Sequence, residues 1–360
     1  MIEAKQSVHY LHRHKDIGAD RKGEHLLDKN ERTIPYASHI IDGVMNSVTP
    51  DDISRYPDQS SLYQKLASHL GVDISHLLLT SGSDSGLKLI FDAFIQKHDE
   101  IVYLQPTYGM VPVYIEMFGA RGCPVLYDKN LGLDRDQIIN AVKSDTKLVI
   151  IVNPNQPTGT VLELDFLKTL AQHAEQYNTL CIVDEAYIEF SDNESAISLV
   201  NDYSNLGISR TFSKAWGLAG VRLGYIVSNN NVINELMKVK SLLDINVFAI
   251  KAAEYFIENY KHVVEHASNV KMSRDYAFRR LKAKGFLCVN GYGNFLHVGI
   301  PTGFHRSAIL SELQDRGYRV RLNENTGTVL DTCLRFTVGD KAQVSSFLDV
   351  LIDLFENRKC

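Results

Sequence analysis

Between residues 77 and 227 the chain alternates short, largely apolar runs with longer stretches in which apolar positions recur every three or four residues. The short runs are 77–80, 101–104, 148–152, 180–183, 208–211 and 223–227. They lack a polar face of period two, so as strands they require cover on both sides. The longer stretches, 85–95, 162–177 and 232–243, have the spacing of helices that bury one face. Such alternation predicts a mainly parallel sheet between helical layers. Each predicted strand runs into a polar or glycine-rich turn, and in open α/β sheets ligands collect at the carboxyl ends of strands. After about residue 250 the pattern changes to one long amphipathic helix over 251–281, two or three strands, and a last helix over 341–355. The expected division is an N-terminal arm (1–30), a large domain (31–250) and a smaller α+β C-terminal domain (251–360). The arm has weak periodicity and is expected to lie on the small domain or on a partner subunit.

Composition narrows the function. The chain of 360 residues is 44% hydrophobic and 22% charged, with a net charge of −5, which leaves no basic face for nucleic acid or an anionic membrane. The first six residues lack the apolar core of a signal peptide, and no window reaches the roughly 20 apolar residues that span a bilayer. A cytoplasmic location is expected. The five cysteines are scattered without a CxxC pair, which argues against a zinc knuckle or a disulfide framework. His9, His12 and His14 lie close together, but without acidic or cysteine ligands at a set spacing they do not define a metal site, and none is expected.

The chemistry is concentrated in a few turns. In Arg210-Thr211-Phe212-Ser213-Lys214-Ala215-Trp216-Gly217, followed by Arg222, a lysine amine stands beside hydroxyls, an arginine and glycines. The amine can form a Schiff base with a carbonyl, while Thr211, Ser213 and Arg222 supply donors and charge to a phosphate. Pyridoxal phosphate carries both groups. Asp184 follows a very apolar run and, if buried, needs a cationic partner; a protonated pyridine nitrogen is one. Tyr187 is placed to hydrogen-bond the ring oxygen, and Tyr108 to stack on a flat ring. In Thr80-Ser81-Gly82-Ser83-Asp84 a strand turns through glycine into a helix, whose first amides, at Ser83 and Asp84, are a phosphate cradle. The loop Asn153-Pro154-Asn155-Gln156-Pro157-Thr158-Gly159 is held by prolines, so the amide of Asn155 or of Gln156 is fixed to meet the cofactor's phenolic oxygen.

Taken in order, these motifs resemble a family. Arg55-Tyr56-Pro57-Asp58, Ser81 to Asp84, Pro106-Thr107-Tyr108, Asn153 to Gly159, Asp184-Glu185-Ala186-Tyr187, Thr211 to Tyr225 and Leu334-Arg335-Phe336-Thr337-Val338-Gly339 are similar to those of fold-type I pyridoxal-phosphate enzymes. The resemblance is to class I/II aminotransferases, and within them to histidinol-phosphate aminotransferases. It implies a large domain with a seven-stranded, mainly parallel sheet and a smaller C-terminal domain. It assigns Lys214 as the Schiff-base lysine, Asp184 to the pyridine nitrogen, Tyr187 to the ring oxygen and Tyr108 to the ring face. Ser83, Asp84, Thr211, Ser213 and Arg222 hold the phosphate. Tyr56 reaches it from a neighbouring subunit, so the resemblance implies a homodimer with composite sites. Arg335 grips the substrate α-carboxylate.

Two segments depart from the usual pattern. Asn155-Gln156-Pro157 stands where Asn-Asn-Pro is usual, and Asp28-Lys29-Asn30-Glu31-Arg32-Thr33-Ile34-Pro35-Tyr36 replaces Asn-Glu-Asn-Pro-Tyr-Gly. The start of the latter, Asp28 to Thr33, together with Arg55-Tyr56-Pro57-Asp58-Gln59-Ser60 and Asn153 to Thr160, resembles a sub-branch linked to surface-polysaccharide and phosphonate pathways. The implied reaction moves an amino group between an amino acid, glutamate, and a small phosphorylated or phosphonylated carbonyl compound. Arg321, or Arg319 alternating with it, is the candidate for the phosphate, with Lys29 and Arg32 as further candidates. The rival reading is a decarboxylase of serine phosphate or threonine phosphate, which differs in the bond held perpendicular to the ring. A cofactor-binding regulator is a third reading, and the complete set Lys214, Asp184, Tyr187 and Arg222 argues against it.

Overall fold

The computed structural model describes residues 5–9, 11 and 21–357. His12, His14 and Cys360, and much of the proposed arm, lie outside the described residues. Seven strands build the main sheet: β1 (Leu77–Thr80), β2 (Glu100–Gln105), β3 (Arg121–Leu126), β4 (Thr146–Val152), β5 (Leu180–Asp184), β6 (Leu206–Thr211) and β7 (Gly224–Ser228). Their order is β1-β7-β6-β5-β4-β2-β3. Every pair is parallel except those made by β7, which runs against both β6 and β1.

The apolar runs are buried on both faces, and the pleat sorts their side chains. Leu148, Ile150, Leu180 and Ile182 belong to one hydrophobic core, while Val149, Ile151, Cys181 and Val183 belong to the other. The strand missing from the periodicity is β3. It lies at the sheet edge, is mostly exposed and contains Pro124, which an edge strand tolerates because one side of its backbone is unpaired.

The C-terminal part corrects two expectations. In place of one helix over 251–281 there are two, α2 (Val247–Glu258) and α3 (Lys261–Ala283). The chain leaves the helical region at Asn259 (φ −114°, ψ 40°), where the side-chain amide donates to the Tyr255 carbonyl at 2.9 Å and ends the first helix. Four short strands form the small sheet instead of two or three: β8 (Cys288–Val289), β9 (Phe295–Gly299), β10 (Arg321–Leu322) and β11 (Cys333–Thr337), antiparallel in the order β10-β11-β9-β8. The last helix, α4 (Lys341–Asn357), covers it together with α3. At the described end of the arm, His25–Leu26 pairs in parallel with Tyr318–Arg319, and Leu27 is buried. The chain then crosses to the carboxyl ends of the main sheet.

Candidate active site

The register of the main sheet brings the carboxyl ends of its central strands into line. Val152 pairs with Asp184 and Asp184 with Ser209, while Thr80 and Thr211 both pair with Gly224. Around this row is a cavity of about 140 Å³. Lys214, Asp184, Tyr187, Tyr108 and Gln156 line it as one chemical group, and Ser83, Asp84, Thr211, Ser213 and Arg222 as a second. Segments as far apart in sequence as 83 and 222 thus meet at one place.

The second group forms an anion cradle. A helix, α1 (Ser83–Phe94), starts after Gly82 at φ +88°; its first amides have no intrahelical acceptor, and its first two residues line the cavity. The Ser213 amide donates to the Thr211 hydroxyl at 3.1 Å, and Arg222 reaches the Ser213 hydroxyl at 3.4 Å. Arg222 takes a left-handed backbone (φ 57°) that turns its guanidinium back over this loop. The cradle is tight: a Cβ at residue 224 would lie 2.4 Å from the Ser83 nitrogen.

The first group is arranged for a flat, cationic ring. Asp184 is buried, and burial pushes its carboxyl up to about 7, with one amide, that of Ala186, donating to it at 3.2 Å. A carboxylate so placed is costly until a cation arrives. Tyr108 donates to Asp84 at 3.3 Å, and burial raises its phenol well above the usual range, so it stays protonated. The Lys214 amine donates to the Lys29 carbonyl at 3.0 Å and lies 5.7 Å from the centre of the Tyr187 ring.

Of the two loop residues, Gln156 lines the cavity and Asn155 does not. The groups of Asn155 are used within the loop. Its amide donates to the Thr160 carbonyl, its side-chain nitrogen to the Pro106 carbonyl and the Thr158 hydroxyl, and its side-chain oxygen accepts from Thr107. Asn155 shapes the loop that presents Gln156.

The candidate substrate arginines are on the small sheet. Arg335 is buried, 5.6 Å from the Phe295 ring, whose edge meets Tyr187. It donates to the Asp28 carbonyl at 2.8 Å, and its Nε has no partner among the described residues. Burial lowers its guanidinium to about 10, so an incoming carboxylate would relieve the cost of desolvation. His297, opposite Arg335 in the register, is lowered to about 3 by burial and by that charge, so it is neutral and adds no second cation. Arg321 pairs with Arg335 across β10 and β11 and is exposed. Arg319 is ion-paired with Glu24. Arg32 lies over the Tyr36 ring at 3.8 Å and lines a separate cavity, and Lys29 contributes its carbonyl to the site. Tyr56 is 83% exposed and is not part of the lining in its own chain.

Two features escaped the sequence reading. Asn30, 2% exposed, donates from its side chain to the Tyr187 hydroxyl at 3.0 Å. Behind Asp184, Arg210 donates to Glu185 at 2.9 Å, Glu189 at 3.1 Å and the Ser195 hydroxyl at 2.9 Å. All of these except Glu189 and Ser195 stand inside the quoted motifs, but their partners are distant in sequence.

Comparison with known proteins agrees with this geometry. The family model for class I and II aminotransferases matches residues 27–351, and the chain belongs to that family. It is 31% identical over 312 residues to a histidinol-phosphate aminotransferase of Christiangramia forsetii, covering 85% of this chain and 87% of that one. In fold it is similar to the histidinol-phosphate aminotransferase of Sinorhizobium meliloti solved with pyridoxal 5'-phosphate (TM-score 0.83, 24% identity, 92% and 91% of the two chains). It is also similar to the L-threonine-O-3-phosphate decarboxylase of Porphyromonas gingivalis (TM-score 0.79, 20% identity, 92% and 99%). The protein is thus a fold-type I aminotransferase that uses pyridoxal 5'-phosphate. The residues present fit that cofactor: an enclosed, under-bonded carboxyl for the ring nitrogen, a lysine for the aldehyde and a cradle of amides with an arginine for the phosphate. Among the described residues no cluster of histidine, cysteine and acidic side chains could hold a metal ion, and no helix is long and apolar enough to cross a membrane.

Proposed function

We propose that the enzyme moves an amino group between glutamate and a small carbonyl compound bearing a phosphate or phosphonate, working in the cytosol as a homodimer. The observation that carries this reading is the pair Arg335 and Arg321, directly opposite on neighbouring strands, so that both project from one face of the small sheet. Arg335 has an unused, buried donor for a carboxylate, and Arg321 is an exposed cation suited to a second anionic group.

Bound pyridoxal phosphate supplies an aldehyde that takes up the amino group and a ring that withdraws electrons from the substrate's α-carbon. The protein does the rest. Ser83, Asp84, Thr211, Ser213 and Arg222 anchor the phosphate, and Tyr108 covers the ring face. Asp184 keeps the ring nitrogen protonated, because the ion pair offsets the burial of both charges. Tyr187 and Gln156 address the ring oxygen. With the cofactor bound, Lys214 Nζ would hold its aldehyde carbon and, as a free amine, would be the base that moves the proton at the substrate's α-carbon. Tyr56 of a second subunit completes the phosphate site. In support, the isolated chain exposes Ile53, Tyr56, Leu242 and Phe248, apolar side chains that a partner would cover.

The test is an absorbance scan of the purified protein with amino acids added, with products identified by mass spectrometry. Glutamate should convert the cofactor's band to that of the amine form, and a phosphorylated ketone or aldehyde should restore it. A Lys214→Ala variant should bind the cofactor but not turn over. Silence toward glutamate, with carbon dioxide released from serine phosphate or threonine phosphate, would make the enzyme a decarboxylase and overturn the proposal.

A further inference from the structure

Three consecutive residues of the segment that leads into the large sheet touch three different parts of the site. The Asp28 carbonyl accepts from Arg335 at 2.8 Å, the Lys29 carbonyl from Lys214 at 3.0 Å, and the Asn30 side chain donates to the Tyr187 hydroxyl at 3.0 Å. Asn30 is the most constrained of them. Its backbone is left-handed (φ 56°), a conformation asparagine tolerates better than most side chains. Its amide donates to the Thr337 hydroxyl at 3.0 Å, and its carbonyl accepts from Asn294 at 3.1 Å. Its side-chain oxygen faces the Thr337 hydroxyl at 3.4 Å, which leaves the side-chain nitrogen for Tyr187. Thr337 on the small sheet and Asn294 beside it thus hold a donor on Tyr187, in the turn after β5 of the large one.

We propose that Asn30 is a positioning residue for the reaction: by occupying the acceptor side of the Tyr187 hydroxyl it directs that hydroxyl's proton into the cofactor cavity, toward the ring oxygen. A phenol oxygen that already accepts a hydrogen bond is also a stronger donor, since the two bonds polarise one another. The inference rests on the reading of Tyr187 as the partner of the ring oxygen. Lys214 and Arg335 are charged groups near Tyr187, and their hydrogen bonds go to the Lys29 and Asp28 carbonyls rather than to the Asn30 side chain.

The consequence is measurable without turnover. A donor to the ring oxygen favours the form in which that oxygen holds the negative charge and the neighbouring lysine nitrogen has lost its proton. Weakening the donor therefore moves the pH midpoint of the bound cofactor's visible absorbance band upward. One hydrogen bond's worth of free energy corresponds to about 0.5–1 pH unit. The experiment compares this midpoint in the holoenzyme and in Asn30→Ala, Asn30→Asp, Tyr187→Phe and the Asn30→Ala/Tyr187→Phe double variant. Asn30→Ala should raise it. Asn30→Asp, nearly isosteric and able to fold where the alanine does not, should raise it at least as far, because a carboxylate would draw the Tyr187 proton away from the cavity. In the Tyr187→Phe background the Asn30→Ala change should add nothing. A midpoint unmoved by the residue 30 variants, or an equal shift with and without Tyr187, would reduce Asn30 to a structural role and overturn the inference. A wild-type protein that shows no cofactor band at all would instead overturn the reading of the site on which it depends.

Discussion

A buried carboxyl with one weak hydrogen bond, as that of Asp184 is, should leave a trace in the pH dependence of stability. Its folded-state value, about 7, is raised above the roughly 3.9 of an unfolded aspartate. Between those values the folded protein holds a proton that the unfolded chain has lost. Its contribution to stability is therefore fully present below about pH 4 and is lost as pH rises through 7. In cofactor-free protein, Asp184→Asn should melt progressively above the wild type as pH goes from 5 to 8, with the gap flattening beyond. Activity should move the opposite way: the asparagine has no charge to keep the ring nitrogen protonated, and kcat should fall on the order of 10²-fold or more. Thermal melts across pH and steady-state kinetics of the variant check both halves. Identical melting at pH 5 and 8 relative to wild type would show that Asp184 is not perturbed by burial. Residue identity was the part of this site most legible in sequence. A charged side chain at the end of an apolar strand, or a lysine between hydroxyls, is unusual enough to stand out alone. Asn30 and Arg210 were not legible because asparagine and arginine are ordinary residues, made distinctive only by partners 157 and 15 to 25 residues away.

At the scale of elements, the turn from β1 into α1 needs room that only a glycine on β7 leaves. Gly224→Ala would press its methyl group on the backbone of Gly82 and Ser83 and move the amides of the phosphate cradle. Cofactor affinity should weaken by roughly ten- to a hundredfold, the equivalent of the 1–3 kcal/mol typical of overpacking, as read by titrating apoenzyme with pyridoxal phosphate. Unchanged affinity would show that the helix start does not hold the phosphate. The turns after β5 are pinned by Arg210, whose partners Glu185, Glu189 and Ser195 span the segment from 185 to 195. Arg210→Met would leave two largely buried carboxylates without their cation, a loss of about 3–5 kcal/mol in urea denaturation. Adding Glu185→Leu should recover part of that loss. Strands buried on both faces were plain in the sequence, whereas β3 was not, because an edge strand alternates with solvent and carries a proline without harm. The break between α2 and α3 was hidden for another reason: both halves keep apolar spacing, and the interruption depends on a local hydrogen bond of Asn259.

For the whole molecule the decisive question is whether two chains share each site. Tyr56 is exposed and is not part of the cavity lining of its own chain, so a composite site predicts complementation. Lys214→Ala and Tyr56→Ala chains, each impaired alone, should regain activity when unfolded together and refolded. Each mixed dimer would contain one site with both residues intact, giving about a quarter of all sites under random pairing. No recovery from a mixture that demonstrably forms hybrid dimers would place Tyr56 outside the active site.

The sequence by itself determined the layered α/β architecture, the cofactor and most of the side chains that meet it, because strand burial and the chemistry of lysine, aspartate and glycine turns are written in local patterns. Tertiary structure alone decided that Gln156 rather than Asn155 faces the cavity, that Arg319 is taken by Glu24 while Arg321 stands across from Arg335, and that Asn30 holds Tyr187. Each of these depends on which of several equivalent polar groups has its hydrogen bonds satisfied by something remote in sequence. Such satisfaction is a property of the folded neighbourhood and leaves no periodic signal in the chain.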